Sequence, residues 1–479
     1  MRELLKFYID GQWVEPTGSR TWDVINPATE EVAGRIALGE SEDVDRAVTA
    51  ARKAFASYSR STREERIALF ERILEEYDKR AGDLAAAITE EMGAPLGLSR
   101  DAQAVLPRNH LEIAIENLKN FEFEKSYGTS IVRSVPIGVC GLITPWNWPG
   151  AVVMTKALPA LAMGCTVVLK PSEYSPFSAQ VIAEIFDAAG VPAGVFNLVN
   201  GDGPTVGVEL STHPQIDVVS FTGSTRAGIE VARNAAPSVK RVHQELGGKS
   251  PNVLLPSTDI SGAVARGVNG LMMNSGQACS APSRMIAPRS HREEVIAAAR
   301  KAAEAITVGD PQDDPVIGPV VNKNQFERIQ SYIGKGVDEG ATLVAGGPGR
   351  PEGLTKGYYV RPTVFADVTK DMTVAKEEIF GPVLVIEFYD DIDEAVELAN
   401  DTEYGLAAYL QGDLEEIKEL ATRIPAGQIY LNGSGDTMPD FRLPFGGLKK
   451  SGNGREWGEA AFEAFLEPVS LVGYSPTTA

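Results

Sequence analysis

One cysteine in this chain sits where a thiol could do covalent chemistry. Cys279 follows Asn274-Ser275-Gly276-Gln277-Ala278, a turn at the end of a helical segment, and precedes Ser280. Small and polar neighbours leave a thiol reachable, and a thiolate is strongly nucleophilic when its pKa is lowered or a base is near. A structural cysteine fits the same residues. Cys140 and Cys165 lie within apolar strands (VCG, GCTVVL) and read as inert core residues. Glu245, in Gln244-Glu245-Leu246-Gly247-Gly248-Lys249, is a candidate general base in a flexible Gly-Gly setting. Its spacing also offers a rival role. In the usual dinucleotide fingerprint an acidic residue about 20 positions past a glycine turn holds a ribose, and Glu245 lies 22 past Gly223.

That turn is Phe221-Thr222-Gly223-Ser224-Thr225-Arg226-Ala227-Gly228, directly after the run DVVS, with a helix beginning near Ser224-Thr225. A glycine-rich strand-to-helix turn brings backbone N–H groups to a pyrophosphate at the positive end of the helix. Thr225 replaces the second glycine of the usual pattern, and an ordinary tight turn fits equally well. Val167-Val168-Leu169-Lys170-Pro171-Ser172-Glu173 offers a second contact. Pro171 ends the strand and leaves Lys170 and Glu173 at its carboxyl end, where open α/β sheets bind ligands. Lys170 could meet ribose or phosphate oxygens and Glu173 the ribose hydroxyls; a solvated loop is the plainer reading.

These residues need a scaffold. Asp10-Gly11 predicts a hairpin and Asn26-Pro27 a turn within residues 1–35. Ser41, as an N-cap, opens a helical pattern carrying Val44, Ala47, Val48 and Ala51. Ser61-Thr62 opens a second with Ile67, Phe70, Ile73, Leu74 and Tyr77. From Gly138 the runs GVCGLIT, CTVVLK, GVFNLV and DVVSFTG alternate with helical segments, and a second series runs from NVLLP near Pro251 to about Leu431. Continuous apolar strands alternating with helices predict an α/β fold with parallel sheets covered on both faces.

In this order the motifs closely resemble the aldehyde dehydrogenase superfamily over essentially the whole chain. They are Thr144-Pro145-Trp146-Asn147-Trp148-Pro149, Lys170–Glu173, Phe221–Gly228, Glu245–Gly248, Gly276–Cys279, Glu377-Glu378-Ile379-Phe380-Gly381-Pro382, and Pro444-Phe445-Gly446-Gly447 followed by Ser451-Gly452. The resemblance implies that Cys279 is the nucleophile and Glu245 the general base rather than the ribose ligand. Asn147 would supply the oxyanion donor with the Cys279 backbone N–H, and Lys156 would lie near the base. The cofactor, NAD with NADP as a second option, would be held by Thr144, Pro145, Trp146, Lys170, Ser172, Glu173, Gly223, Ser224, Gly228, Leu246, Glu378 and Phe380. The implied reaction is NAD(P)-dependent oxidation of an aldehyde to a carboxylic acid through a cysteine thiohemiacetal and thioester. Glu245 argues for hydrolysis of that thioester over transfer to coenzyme A. A coenzyme A-acylating enzyme and a non-enzymatic protein keeping the fold are the rivals.

The implied architecture is a Rossmann-like cofactor domain (1–117 and 137–248), an α/β catalytic domain (249–444) and a small β oligomerisation element (118–136 and 463–476), with 445–462 returning to the cofactor domain. That β element implies a homodimer or homotetramer, because an exposed β-ribbon would otherwise be an aggregation edge. The substrate tunnel departs from better-known members. Thr155 stands before Lys156 where many relatives carry an aromatic, and Ala151 is small. The expectation is a tunnel widened for bulky or cyclic apolar aldehydes, lined also by Trp148, Met273, Ser280 and Phe445; refilling of the space by Trp148, Met273 and Phe445 is the alternative.

Composition bounds the rest. The 479 residues carry 45 Lys+Arg against 65 Asp+Glu, a net charge of −20. That field repels nucleic acid and anionic membrane surfaces. Three cysteines build no disulfide framework, which fits a reducing, cytoplasmic setting. The scattered histidines His110, His213, His243 and His291 predict no metal site. The segment Gly150 to Leu169, interrupted by Lys156 and Pro159, predicts a buried helix and strand rather than a membrane span.

Overall fold

A computed structural model describes residues 1–435, 437 and 439–475. The cofactor-type strands pair as the continuous apolar runs predict. Val218–Thr222, Val139–Ile143, Thr166–Lys170 and Phe196–Leu198 lie side by side and parallel in an eight-stranded sheet. Their side chains are buried on both faces because helices cover both. The hairpin strands Phe7–Ile9 and Gln12–Val14, turning at Asp10-Gly11 with both φ angles positive, extend one edge.

At the other edge lies a strand that the apolar pattern does not announce. Arg241–Glu245 pairs in parallel with Val218–Thr222, so Ser220 stands opposite His243 and Thr222 opposite Glu245. Gly452–Asn453 closes the sheet beyond it by antiparallel pairing. Glu245 therefore ends a paired strand, rather than sitting in the flexible Gly-Gly setting expected.

A seven-stranded sheet holds the second α/β series in the order Thr342–Ala345, Thr363–Ala366, Val383–Tyr389, Arg284–Pro288, Pro251–Leu254, Ala407–Gln411, Gln428–Leu431. All its pairings are parallel except the first. A separate antiparallel sheet joins Leu466–Leu471, Ser130–Pro136 and Glu124–Tyr127. Pro476, the last residue of the expected oligomerisation segment, lies outside the described residues. Helix starts follow their capping chemistry. Thr62 caps Arg63–Met92 in a capping box with Glu65. The first long helix is capped one residue earlier than expected: Glu40, not Ser41, is its N-cap, paired with Asp43. Among the described residues no helix is long and apolar enough to cross a membrane.

Candidate active site

Cys279 follows the helix Ile260–Met272 through a tight turn in which Asn274 and Ser275 both take left-handed φ angles, 54° and 57°. Non-glycine residues adopt that region only when their surroundings hold them there. Here Gln103 Nε2 donates to Asn274 Oδ1 at 3.0 Å, and Asn274 Nδ2 donates to the carbonyl oxygens of Asn147 (3.0 Å) and Gln277 (3.3 Å). Asn147 Nδ2 in turn donates to Gln277 O at 3.0 Å. The amide side chain of Asn147 is thus bound to the loop that carries the cysteine. Gln103 belongs to a π-helical turn, Ser99–Gln103, that no sequence motif marked.

Cys279, Asn147 and Glu245 open on one cavity of about 330 Å³. Pro145, Trp146, Trp148, Ala151, Thr155, Gly223, Ser224, Leu246, Met273, Ser280, Glu378, Phe380 and Phe445 line it too. Burial and the negative charges of Glu245, Glu378 and Glu456 push the Cys279 thiol up to about 12. Burial, reinforced by Glu456 and opposed by Lys156 and Arg455, holds the Glu245 carboxyl well above its usual range. Neither Glu245 oxygen has a hydrogen-bond partner among the described residues. Glu378 accepts from the Gly248 N–H at 2.8 Å, and burial raises it as well. Phe380, at φ 62°, meets the Trp146 ring edge-on at 5.4 Å. Gln325 and Arg328 hold this strap by donating to the carbonyls of Ile379, Phe380 and Glu378.

Six expected site residues stand outside the cavity wall. Lys156 is fully buried and pairs with Glu456 at 2.5 Å. Burial alone would raise Glu456, but Lys156, with His243 and a hydrogen bond from Thr155, outweighs it and leaves that carboxylate low. Lys170 donates to the carbonyls of Pro171 and Gly201, each at 2.7 Å, and reaches Glu173 at 3.5 Å. Its ammonium is committed to backbone at the end of its strand. Ser172 accepts from the Tyr174 N–H, and Thr144 is buried. Gly228 faces the sheet: a Cβ there would fall 2.5 Å from Leu246 Cδ2. It lets the helix Thr225–Ala235 pack closely on its strand, while Ser224, the N-cap, faces the cavity.

The cavity's apolar wall was only partly foreseen. Trp148, Met273 and Phe445 are present, but the aromatic stack runs further: Phe445 lies on Trp457 (4.4 Å), and Phe441 and His110 pack against Trp457 at 5.2 and 5.5 Å. Burial lowers His110 to about 4, so the imidazole is neutral. Thr155 is not merely small. Its hydroxyl donates to Glu456 Oε2 at 3.2 Å. Glu456 itself was missed; it sits within Gly454-Arg455-Glu456, just past the Ser451-Gly452 motif that was read only as part of the resemblance.

The sequence pattern of the aldehyde dehydrogenase family matches residues 13–471. A 3-succinoylsemialdehyde-pyridine dehydrogenase from a Pseudomonas species is 52% identical over 477 residues, 99% of each chain. Aldehyde dehydrogenase C of Pseudomonas syringae, solved as a point mutant with NAD+ and octanal, superposes with a TM-score of 0.97 at 51% identity, covering 98% of this chain and 97% of that one. Betaine aldehyde dehydrogenase of Staphylococcus aureus in complex with NAD+ superposes with a TM-score of 0.95 at 34% identity, covering 99% and 96%.

Proposed function

The chain belongs to the aldehyde dehydrogenase family and oxidises aldehydes with NAD; from that premise we propose that Cys279 is the nucleophile, Asn147 an oxyanion donor and Glu245 the base that activates water. The observation that carries these roles is the opening of all three residues onto one cavity, which Ser224, Glu378 and Phe380 also line. The Cys279 thiol releases its proton to solvent, and the thiolate adds to the aldehyde carbon, which forms a thiohemiacetal and moves the charge onto the carbonyl oxygen. The Asn147 amide and the Cys279 backbone N–H donate to that oxygen. Bound NAD supplies a hydride acceptor at its nicotinamide, which leaves the acyl group on Cys279 as a thioester. Glu245 takes a proton from the water that attacks the thioester carbon, releasing a carboxylic acid and returning the thiol.

The chemistry of the donors fits a dinucleotide. Gly223 and the Ser224 helix start suit a pyrophosphate; Lys170 and Glu173 suit the adenosine ribose, and Glu378 and Phe380 the nicotinamide ribose and ring. A carboxylate at Glu173 repels a 2′-phosphate, which favours NAD over NADP. The aromatic wall around Trp457 suits a bulky, cyclic or long apolar aldehyde. The named chemistry of the relatives, a pyridine semialdehyde in one and octanal in another, supports that choice. The exposed strand Glu124–Tyr127 at a sheet edge supports a homo-oligomer, and three free cysteines suit a reducing, cytoplasmic setting.

The test is NADH formation from octanal, benzaldehyde and acetaldehyde by the purified protein and by Cys279→Ala. The expected result is turnover favouring the two larger aldehydes, and a variant that still binds NAD yet forms no NADH. NADH formation surviving in Cys279→Ala would sink the assignment of the nucleophile, and a clear preference for acetaldehyde that of the substrate.

A further inference from the structure

The strand Arg241–Glu245 places His243 and Glu245 two residues apart, on the same face of the sheet. Register puts Ser220 beside His243 on the neighbouring strand, and Ser220 Oγ lies 2.9 Å from His243 Nδ1. The same hydroxyl accepts from Lys156 Nζ at 2.9 Å. An ammonium can only donate, so the Ser220 oxygen is the acceptor there, and its own proton remains available to His243 Nδ1. With that hydroxyl donating to Nδ1, the imidazole carries its hydrogen on Nε2. His243 Nε2 has no partner among the described residues and lies 3.8 Å from Glu245 Oε1, whose two oxygens are also unpartnered. Gly454 makes the place for the ring, since a Cβ there would fall 2.1 Å from His243 Cδ2.

We infer that His243 is a positioning residue for Glu245: its Nε2–H, held in that tautomer by Ser220, is the donor on which the ionised Glu245 carboxylate settles. The inference rests on the reading of Glu245 as the base. A histidine suits the task because burial and the Lys156 charge lower it to about 4, so it donates a hydrogen bond without adding a second cation. The other charged groups that face this pair are Lys156 from the helix Pro149–Ala162 and Arg455 and Glu456 from the segment after Asn453; Cys279 and Glu378 face Glu245 across the cavity. Lys156 is committed to Glu456 and Ser220. His243 is thus a neutral side-chain donor beside the carboxylate, in addition to the Gly447 backbone N–H, and its hydrogen bond stabilises the charged form of Glu245.

The experiment follows the pH dependence of acyl-enzyme decay after rapid acylation of the full-length protein with para-nitrophenyl acetate. His243→Leu removes the donor at similar volume, so the acid limb should move up by about one pH unit and decay at neutral pH should slow about tenfold. His243→Gln, which restores a side-chain N–H, should return the limb to its wild-type position. Ser220→Ala frees the tautomer and should move the limb in the same direction as His243→Leu; if His243→Leu does not fold, this variant decides. An unmoved limb in His243→Leu or Ser220→Ala overturns the inference, as does a limb in His243→Gln displaced as far as in His243→Leu. Glu245→Gln separates the two levels. If it leaves decay unchanged, the reading of Glu245 as base fails; if it stops decay while the His243 limb stays fixed, only the inference fails.

Discussion

Lys156 and Glu456 meet at 2.5 Å across 300 residues of sequence, with both side chains almost wholly buried. Thr155 and Ser220 hold the second carboxylate oxygen and the ammonium. A buried ion pair thus sits next to Glu245, and its negative member is one reason that carboxyl is hard to ionise.

Removing one partner of that pair strands the other in a medium that solvates it poorly. Glu456→Gln and Lys156→Met should each lower unfolding free energy by about 3–5 kcal/mol. The double variant should lose far less than their sum. Urea unfolding of the three proteins measures this, and strictly additive losses would mean that the pair contributes no coupling.

Glu245 and Cys279 are coupled by charge, with a sign that can be worked out. Ionised Glu245 raises the thiol and so lowers the thiolate fraction. Glu245→Gln should therefore speed iodoacetamide alkylation of Cys279 severalfold at alkaline pH, where the wild-type carboxylate is charged. The difference should vanish at acid pH, where Glu245 is protonated in the wild type as well. Equal rates for the two proteins across the whole range contradict this.

Thr155 bears on substrate size. A phenylalanine there would put a ring into the cavity and remove the hydrogen bond to Glu456. Thr155→Phe should cut kcat/KM for octanal and benzaldehyde about tenfold more than for acetaldehyde. A uniform loss across the three aldehydes would point to damage at Glu456 instead of a narrowed tunnel.

His110 links stability to pH. Its folded pKa, about 4, lies below the ordinary value of 6.5. The folded protein therefore binds fewer protons than the unfolded chain between those values, and the contribution present above 6.5 is lost as pH falls toward 4. His110→Phe, which keeps an aromatic against Phe441 and Trp457, should show a smaller fall in Tm between about pH 7 and about pH 5 than the wild type. His243 titrates the same way and remains in both proteins. An identical fall would mean that His110 is protonated without cost in the fold.

Much of the scaffold was legible because local pattern and tertiary role coincide. Apolar runs such as CTVVLK are continuous because helices cover both faces of the sheet, and Ser224 reads as a helix start because its hydroxyl caps the Ala227 N–H. The strand Arg241–Glu245 escaped that logic. Arg-Val-His-Gln-Glu carries little apolar signal, and its buried His243 and Gln244 side chains find partners only in the folded protein, at Ser220, the Gly228 carbonyl and Asn453. Lys170 shows what local pattern leaves open. It stands at the end of its strand as the Pro171 stop predicts, and only the fold sets the Pro171 and Gly201 carbonyls and Glu173 around its ammonium.

Residues read in order settle which groups are available and which local elements carry them: one thiol in a turn, one carboxylate before two glycines, a glycine-rich helix start, and the alternation of strand and helix that makes an α/β protein. These depend on residue type and near neighbours, where the chain's own geometry sets the outcome. What each group faces came from long-range packing alone. It brought Glu456 to Lys156, set His243 against Ser220, bound Asn147 to the Gln277 carbonyl and turned Gly228 toward Leu246. Burial and charge act through space over a few ångströms, and residues 300 positions apart become neighbours only once the sheets and helices have packed.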